Sequence, residues 1–530
     1  MTWAKGRRWA VLLAVLVTGI AAAACAGPER TDEARVELGT GVLAGTAAAD
    51  YHLFQGVPYA AAPVGDLRWR APAPPAAWQG VRDARRPGPK CLQLEGEFGS
   101  PVVGSEDCLY LNVTAPADAA PNRPKPVLVA LHGGGFHSGS GAELDARALA
   151  VHGDVVVVTP NYRLGAFGYF GYPGLAESGS FAFQDQIAAL RWVTDNIAAF
   201  GGDPGNVTLA GQSAGAYSTC ALLTSPTATH YFRRAIVQSG SCSMSAPAGM
   251  VADVAISSVY VSEVANEQYG KNLVSSAHLG CDDTADPLAC LRALPASAFM
   301  PIHQMFLDPA FGSSVLPDNP AETLTAGKIP DIPVLVGDTR DEELSRASEP
   351  LTPEEYAARL RTAFGEPDAD RIAETYTATA YGSPSRAWSA VCTDRLWIWP
   401  TTQAARLLSH GTTVYSYEFA DPHPPADLAR AFGVDPTLSG AFHGGDVTSI
   451  FPGDIALTPE QQRLSDVMIS YWANFAHTGD PNRPGLPEWK PYNGGDATPF
   501  TLRMAPGDAG AGPADMSYHH LDLWDDIARR

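Results

Sequence analysis

Residues 207–215 read VTLAGQSAG. The first four form a mostly apolar run suited to a strand buried on both faces. The rest, Gly211-Gln212-Ser213-Ala214-Gly215, matches G-x-S-x-G, and Ala214 opens a helix-like segment. A strand, a tight turn and a helix in that order raise a serine hydroxyl above the carboxyl edge of a sheet. Small residues on both sides let the backbone make that turn. A Gly-rich turn with a helix-capping serine would give the same letters. The strand before Ser213 and the helix after it favour a nucleophile.

Working outward, apolar runs recur at 127–131, 155–159, 236–237 and 334–336, with helix-like segments at 144–151, 183–200 and 214–223. This alternation predicts an α/β fold: a central, mostly parallel sheet with helices on both faces. Residues 41–59 read as antiparallel strands at one edge, and 250–330 and 345–410 as helical cap insertions. Short Pro-rich stretches at 71–75, 121–126 and 421–425 read as loops. No repeat of solenoid period is visible. One large domain over 36–530 accounts for the pattern better than several small ones.

A second Gly-rich motif, His132-Gly133-Gly134-Gly135-Phe136, follows the run at 127–131 directly. Such a loop offers bare backbone N–H groups to a developing oxyanion. The candidate donors are Gly134 and Gly135, with Ala214 after the nucleophile as the third. The 530 residues hold 36 Lys and Arg against 57 Asp and Glu, a formal charge of −21. That balance argues against nucleic acid as a partner, which needs a basic patch. Neither G-x-G-x-x-G nor a P-loop pattern occurs between a strand and a helix, so no cofactor is implied.

At the N-terminus, Lys5, Arg7 and Arg8 precede an apolar run over 9–20, then Ala21 to Ala24 and Cys25. The run is too short to span a membrane and reads as a secretory signal over 1–25, followed by a linker over 26–35. Ala22-Ala23-Ala24-Cys25 resembles a lipobox, which would make Cys25 a lipidated first residue anchored to the membrane. Ordinary cleavage after Ala24 or Ala26 is the alternative. Either way the protein is expected to be exported, as a cell-surface lipoprotein or secreted. Seven cysteines follow Cys25. Cys91/Cys108 and Cys281/Cys290 are close enough for small disulfide loops in an oxidising compartment. Neither pair has nearby His in metal-ligand spacing, so no zinc site is expected. Of Cys220, Cys242 and Cys392 at most two can bridge; Cys242–Cys392 is the expected pair, with the third a buried thiol. Asn112 and Asn206 head N-x-T sequons, with no glycan expected in a bacterial lipoprotein.

Longer motifs now bear on the reading. Glu106-Asp107-Cys108-Leu109-Tyr110-Leu111-Asn112-Val113 resembles the second signature of type-B carboxylesterases, and residues 200–215, FGGDPGNVTLAGQSAG, resemble their nucleophile signature. FQGVPYAAAPVGDLRWRAP, NYRLGAFG, QSG at 238–240 and YWANFAHTGDPN are similar to family text as well. The chain thus resembles the cholinesterase and carboxylesterase branch of the α/β-hydrolase fold over about 36–525, as an exported bacterial member. The resemblance implies a serine hydrolase that cleaves small-molecule carboxylic esters. It makes Glu342, in Gly337-Asp338-Thr339-Arg340-Asp341-Glu342, the triad acid and His443, in Gly440-Ala441-Phe442-His443-Gly444, the base. Glu343 stands where the family usually has Gly, which leaves Asp341 as the alternative acid. By the same carry-over, Ser239 hydrogen-bonds the acid and Asp446 braces the histidine loop. Arg68 with Glu106, and Arg163 with Asp185, resemble the family's buried ion pairs. Cys91–Cys108 and Cys281–Cys290 resemble its disulfide loops. The remaining histidines, including His132, His423, His477, His519 and His520, are expected to be structural or exposed.

Two departures bear on substrate. The Cys91–Cys108 loop contains no Trp, its only aromatic being Phe98, and Gln212 rather than Glu precedes the nucleophile. A quaternary ammonium needs an aromatic cage, so choline esters are not the expected substrate. Phe136, Phe181, Phe311, Phe442, Trp397 and Trp399 are candidates to line an acyl or alcohol pocket, or plain core. Lipase, feruloyl esterase or amidase activity on the same fold is the alternative. A lipase should carry a long lid, for which the Cys91–Cys108 loop is short. A non-catalytic binding protein is disfavoured because Ser213, Glu342 and His443 are all in place.

Overall fold

The computed structural model describes residues 32–96, 99–507 and 509–530. The expected signal segment, Cys25, the first part of the linker and Phe98 lie outside them. Strands whose residues are all apolar cannot leave a face in water. The chain buries them in one 13-stranded sheet. Its strands are β1 (Asp32–Leu38), β2 (Gly41–Ala47), β3 (Tyr51–Pro58), β4 (Val81–Asp83), β5 (Tyr110–Pro116), β6 (Lys125–Leu131) and β7 (Val156–Pro160). After these come β8 (Gly202–Gln212), β9 (Arg234–Gln238), β10 (Val334–Thr339), β11 (Val414–Phe419), β12 (Thr501–Met504) and β13 (Ala511–Pro513). The spatial order is β1-β2-β3-β5-β7-β6-β8-β9-β10-β11-β12-β13, with β4 beside β2. From β7 to β12 every neighbouring pair is parallel. The first strands pair antiparallel at one edge, as residues 41–59 suggested. β1 begins at Asp32, inside the stretch expected as linker, with Asp32–Arg35 paired to Ala44–Ala47.

Side chains alternate between the sheet's two faces. Val127, Val129 and Leu131 join one core cluster with Val156, Val158 and Leu209. Leu128 and Ala130 join the other with Val157, Ala210, Ile236 and Leu335. Helices α1 (Phe181–Asn196) and α2 (Ala214–Thr224) cover the first face, as Phe183, Leu190, Ala216 and Leu223 show. Residues 345–410 are helical as expected and include α3 (Pro384–Thr393) and α4 (Trp399–Leu408). Helix α5 (Pro459–Thr478) covers the second face through Leu464, Met468, Trp472 and Phe475. The chain ends in α6 (Leu521–Ala528). Residues 250–330 are less helical than expected: four α-helices over Glu263–Ser276, Pro287–Ala293, Met300–His303 and Pro320–Thr325 alternate with irregular chain and a short parallel pair. Among the described residues no helix is long and apolar enough to cross a membrane.

Among the described residues three disulfides tie the chain: Cys91–Cys108, Cys281–Cys290 and Cys220–Cys242. The third corrects the expected Cys242–Cys392 pair. Cys220 lies on α2 and Cys242 just beyond β9, and packing α2 against that strand brings their Cα atoms to 5.5 Å. Cys392 is instead a buried free thiol on α3, among Trp388, Val391 and Leu396. The two ion pairs suggested by the sequence are present. Arg163 and Asp185 meet at 2.7 Å, fully buried. Arg68 grips both Glu106 oxygens and also donates to the Leu294 carbonyl, which joins the two disulfide-loop regions.

Candidate active site

The strand-to-helix turn forces Ser213 into φ 56°, ψ −121°. A non-glycine residue holds such a conformation only where its surroundings impose it. Here they do. The Ser213 N–H donates to the Gln238 carbonyl and its C=O accepts from Tyr217 N–H, both at 2.9 Å. The glycines on either side are required by close approach. A Cβ on Gly211 would lie 2.1 Å from the Gly215 carbonyl oxygen, and one on Gly215 2.1 Å from that of Leu131.

The His132–Phe136 loop leaves β6 and rests on this elbow: a Cβ on Gly133 would sit 3.2 Å from Ser213 Cβ. Gly134 has φ +110° and Gly135 φ +58°, and a Cβ on Gly134 would strike the Ser138 carbonyl at 2.2 Å. That carbonyl is held close because Ser138 N–H and Oγ–H both donate back to Gly134 C=O. Among the described residues the N–H groups of Gly134 and Gly135 donate to no protein acceptor. Ala214 is the first residue of α2, so its N–H has no intrahelical acceptor either. Three donors are therefore left open on the two turns that meet at Gly133 and Ser213.

Glu342 follows β10 and His443 follows β11. Glu342 Oε2 accepts from His443 Nδ1–H at 2.5 Å, while Oε1 accepts from Thr339 N–H at 2.7 Å. Glu342, not Asp341, meets the imidazole. Asp341 caps the Ala441 N–H at 2.9 Å and so pins the histidine loop to the acid loop. With Nδ1 protonated, His443 Nε2 carries the lone pair, and Gln212 Nε2 donates to it at 3.3 Å. Ser213 Oγ makes no hydrogen bond to His443 in this structure. Burial lowers the His443 pKa, but Glu342, by charge and hydrogen bond, and then Glu343 and Asp446 outweigh it. The net shift is upward.

Asp446 is fully buried and accepts from Gln238 Nε2 at 2.9 Å and Tyr417 O–H at 2.8 Å, which fastens the histidine loop to β9 and β11. Burial, partly offset by these two bonds, leaves its carboxyl above the ordinary range. Ser239 departs from expectation. Its Oγ is buried but bonds nothing, and Glu342's oxygens are taken by His443 and Thr339 instead.

Of the six candidate lining aromatics, two reach the site. The Trp397 ring lies 4.6 Å from the His443 ring, and Phe136 packs near Tyr217, which in turn neighbours Trp397. Phe442 turns into a small cluster with Leu344, Ala429 and Val434. Phe181 lies under Arg163, Phe311 packs against the main core, and Trp399 donates to Asp525. Sequence reasoning missed what holds Trp397. Its Nε1–H donates to Glu343 Oε1 at 2.8 Å, so Glu343 clamps the indole over the imidazole. A π-helical turn over Asp394–Ile398, between α3 and α4, carries Trp397. Among the described residues no group of His, Cys, Asp and Glu is arranged to hold a metal ion.

Comparison with known proteins agrees with this architecture. The model of the "Carboxylesterase family" matches residues 32–518. A para-nitrobenzyl esterase of Bacillus subtilis (strain 168) is 34% identical over 473 residues, covering 86% of this chain and 91% of the relative. The human cocaine esterase is 33% identical over 538 residues, 94% of this chain and 91% of that protein. A solved PNB esterase superposes with a TM-score of 0.74 at 32% identity, covering 92% of this chain and 99% of its own. The chain belongs to the carboxylesterase family, has the α/β-hydrolase fold and is a carboxylic ester hydrolase.

Proposed function

We propose that Ser213, His443 and Glu342 form the catalytic triad. His443 Nε2 takes the Ser213 proton as Oγ attacks the ester carbonyl, then returns it to the leaving alcohol. Glu342 fixes the tautomer and stabilises the imidazolium. The N–H groups of Gly134, Gly135 and Ala214 receive the oxyanion, where loss of one donor costs about 3 kcal/mol. Water then clears the acyl-enzyme with His443 as base. The observation that carries this reading is the 2.5 Å bond from His443 to Glu342, which leaves the opposite ring nitrogen unprotonated on the Ser213 side.

The substrates proposed are small to medium carboxylic esters. The test is hydrolysis of p-nitrophenyl esters from acetate to palmitate, with Ser213→Ala as control. Activity that falls with chain length and vanishes in the variant supports it. Activity that peaks on long chains above their solubility limit points to a lipase. No activity from the folded wild type on any ester overturns the triad reading.

The three disulfides fit an oxidising compartment. With the basic and apolar N-terminal segment, they support export of a single-domain enzyme, held at the membrane by lipid on Cys25. Membrane fractionation of wild type and Cys25→Ala decides the anchor: release of both alike would mean ordinary cleavage and a free protein.

A further inference from the structure

A second cavity, of about 500 Å³, opens beside the acid loop. That volume is within the range of small-molecule sites. Arg340 and Asp341 contribute from the turn after β10, Arg386 from α3, Tyr381 from just before it, and Tyr518 and His520 from the C-terminal segment. Neither Ser213 nor His443 lines it.

The polar groups of this cavity are unevenly satisfied. Its carboxylates are occupied. Asp394 accepts from His519 at 2.5 Å and from Tyr376 at 2.6 Å, and Asp341 accepts from the Ala441 N–H. Burial also holds both carboxyls above their ordinary range. The guanidiniums are not occupied. Arg386 donates to the Ser439 carbonyl, at 3.3 Å, and Arg340 sits over Tyr518, 4.2 Å from the ring centre, with the charges of Asp341 and Asp515 near it. Among the described residues neither pairs with a carboxylate, in a chain where acids outnumber bases 57 to 36. A guanidinium presents a planar fork of donors that suits a carboxylate, and two without a carboxylate partner line this cavity. Tyr381 and Tyr518, with ring centres 6.0 Å apart, supply flat apolar wall beside them.

We propose that this cavity binds a small aromatic carboxylate, its charge held by Arg340 and Arg386 and its ring against Tyr381. The site adjoins the joint between the two catalytic loops, because Asp341 both lines it and pins Ala441, two residues before His443.

The test is equilibrium dialysis of benzoate against the full chain at about 150 mM salt, where weak surface attraction is screened. It is run on wild type, on the Arg340→Gln/Arg386→Gln double variant, and on wild type whose serine has been sulfonylated with phenylmethylsulfonyl fluoride. The expected result is one saturable class of site that survives sulfonylation and weakens by about tenfold or more in the double variant. Should the double variant not fold, Arg386→Gln alone, on α3, is expected to weaken binding as well. No saturable binding below about 10 mM overturns the proposal. So does binding that is lost on sulfonylation, which places benzoate in the ester site, or binding unchanged in the variants. Inorganic phosphate competing as tightly as benzoate would overturn the aromatic part. If the reagent leaves Ser213 unlabelled, the nucleophile reading fails, while dialysis of the untreated protein still tests the cavity.

Discussion

Two histidines in this molecule sit among carboxylates, and they differ in what their second nitrogen meets. His443 bonds Glu342 through Nδ1 and presents Nε2 to the Ser213–Gln212 turn, with 22% of its side chain exposed. His519 bonds Asp394 through Nδ1 at 2.5 Å and Glu418 through Nε2 at 2.9 Å, with none of its side chain exposed. An imidazole with an acid on each side has no lone pair left to accept a proton. Asp394 and Glu418 outweigh burial and push the His519 pKa up to about 10, so it stays an imidazolium at neutral pH. The same residue types thus leave one imidazole nitrogen open at His443, the proton carrier of the proposed triad, and make a clasp at His519. The clasp joins β11, the π-helical turn and the C-terminal segment, and Tyr376 and Trp524 extend it.

The largest effect that sharpens this contrast is on rate. Ser213→Ala and His443→Ala are each expected to lower kcat on p-nitrophenyl acetate by about 10⁵-fold or more, and Glu342→Gln by about 10⁴-fold. The melting temperatures of Ser213→Ala and Glu342→Gln should stay near that of wild type. His519→Ala should show the opposite: a loss of about 3–5 kcal/mol in denaturant unfolding, since Asp394 and Glu418 are left buried without their cation, and ester turnover retained by the folded fraction. A variant at His519 that lost turnover without losing stability would break the comparison.

The clasp also has a pH signature. A folded pKa raised above the unfolded value of about 6.5 contributes stability that is complete below that value. It is lost as pH rises toward about 10. Asp394, Glu418, Asp341 and His520 surround the ring, and the carboxyls of Asp394 and Asp341 are raised too, so their slope has the same sign. Wild type is therefore expected to lose stability in urea titrations between about pH 6.5 and 10. The His519→Ala variant should show a shallower slope over that window.

Gly134→Ala tests the donor loop. With φ +110° and the Ser138 carbonyl 2.2 Å from the added Cβ, the loop must shift. A fall in kcat of about 10²–10³-fold is expected, with little change in KM. The smallest effect concerns Glu343. Its charge helps raise the His443 pKa. Glu343→Gln keeps an acceptor for the Trp397 indole but removes the charge, so the acid limb of the kcat/KM profile should move to lower pH with kcat largely kept. An unmoved limb would make Glu343 a structural prop for the indole and for Arg346, which pairs with its other oxygen.

Much of this was legible beforehand because it is local. The strands from 127 to 336 announce themselves as unbroken apolar runs, and the elbow at Ser213 and the glycines at 133–135 are required by close backbone approach. β11 is not legible as a strand. Its sequence, VYSYEF, carries Ser416 and Glu418 inward, and only partners far along the chain, Thr501 and His519, make their burial tolerable. For the same reason the cysteine pairing at Cys242 and the unbonded Ser239 could not be read from spacing.

The sequence by itself determined the fold class, from the period of burial, and marked Ser213 and the glycine loop by short motifs; His443 and the two outer disulfide loops came with the family resemblance of the text around them, which is local too. Tertiary structure set Glu342 rather than Asp341 against the imidazole, joined Cys220 to Cys242, placed Trp397 on the imidazole and made His519 a clasp. Each of those depends on which distant segments meet in a space with little water, where an unpaired charge or donor is too costly to leave alone.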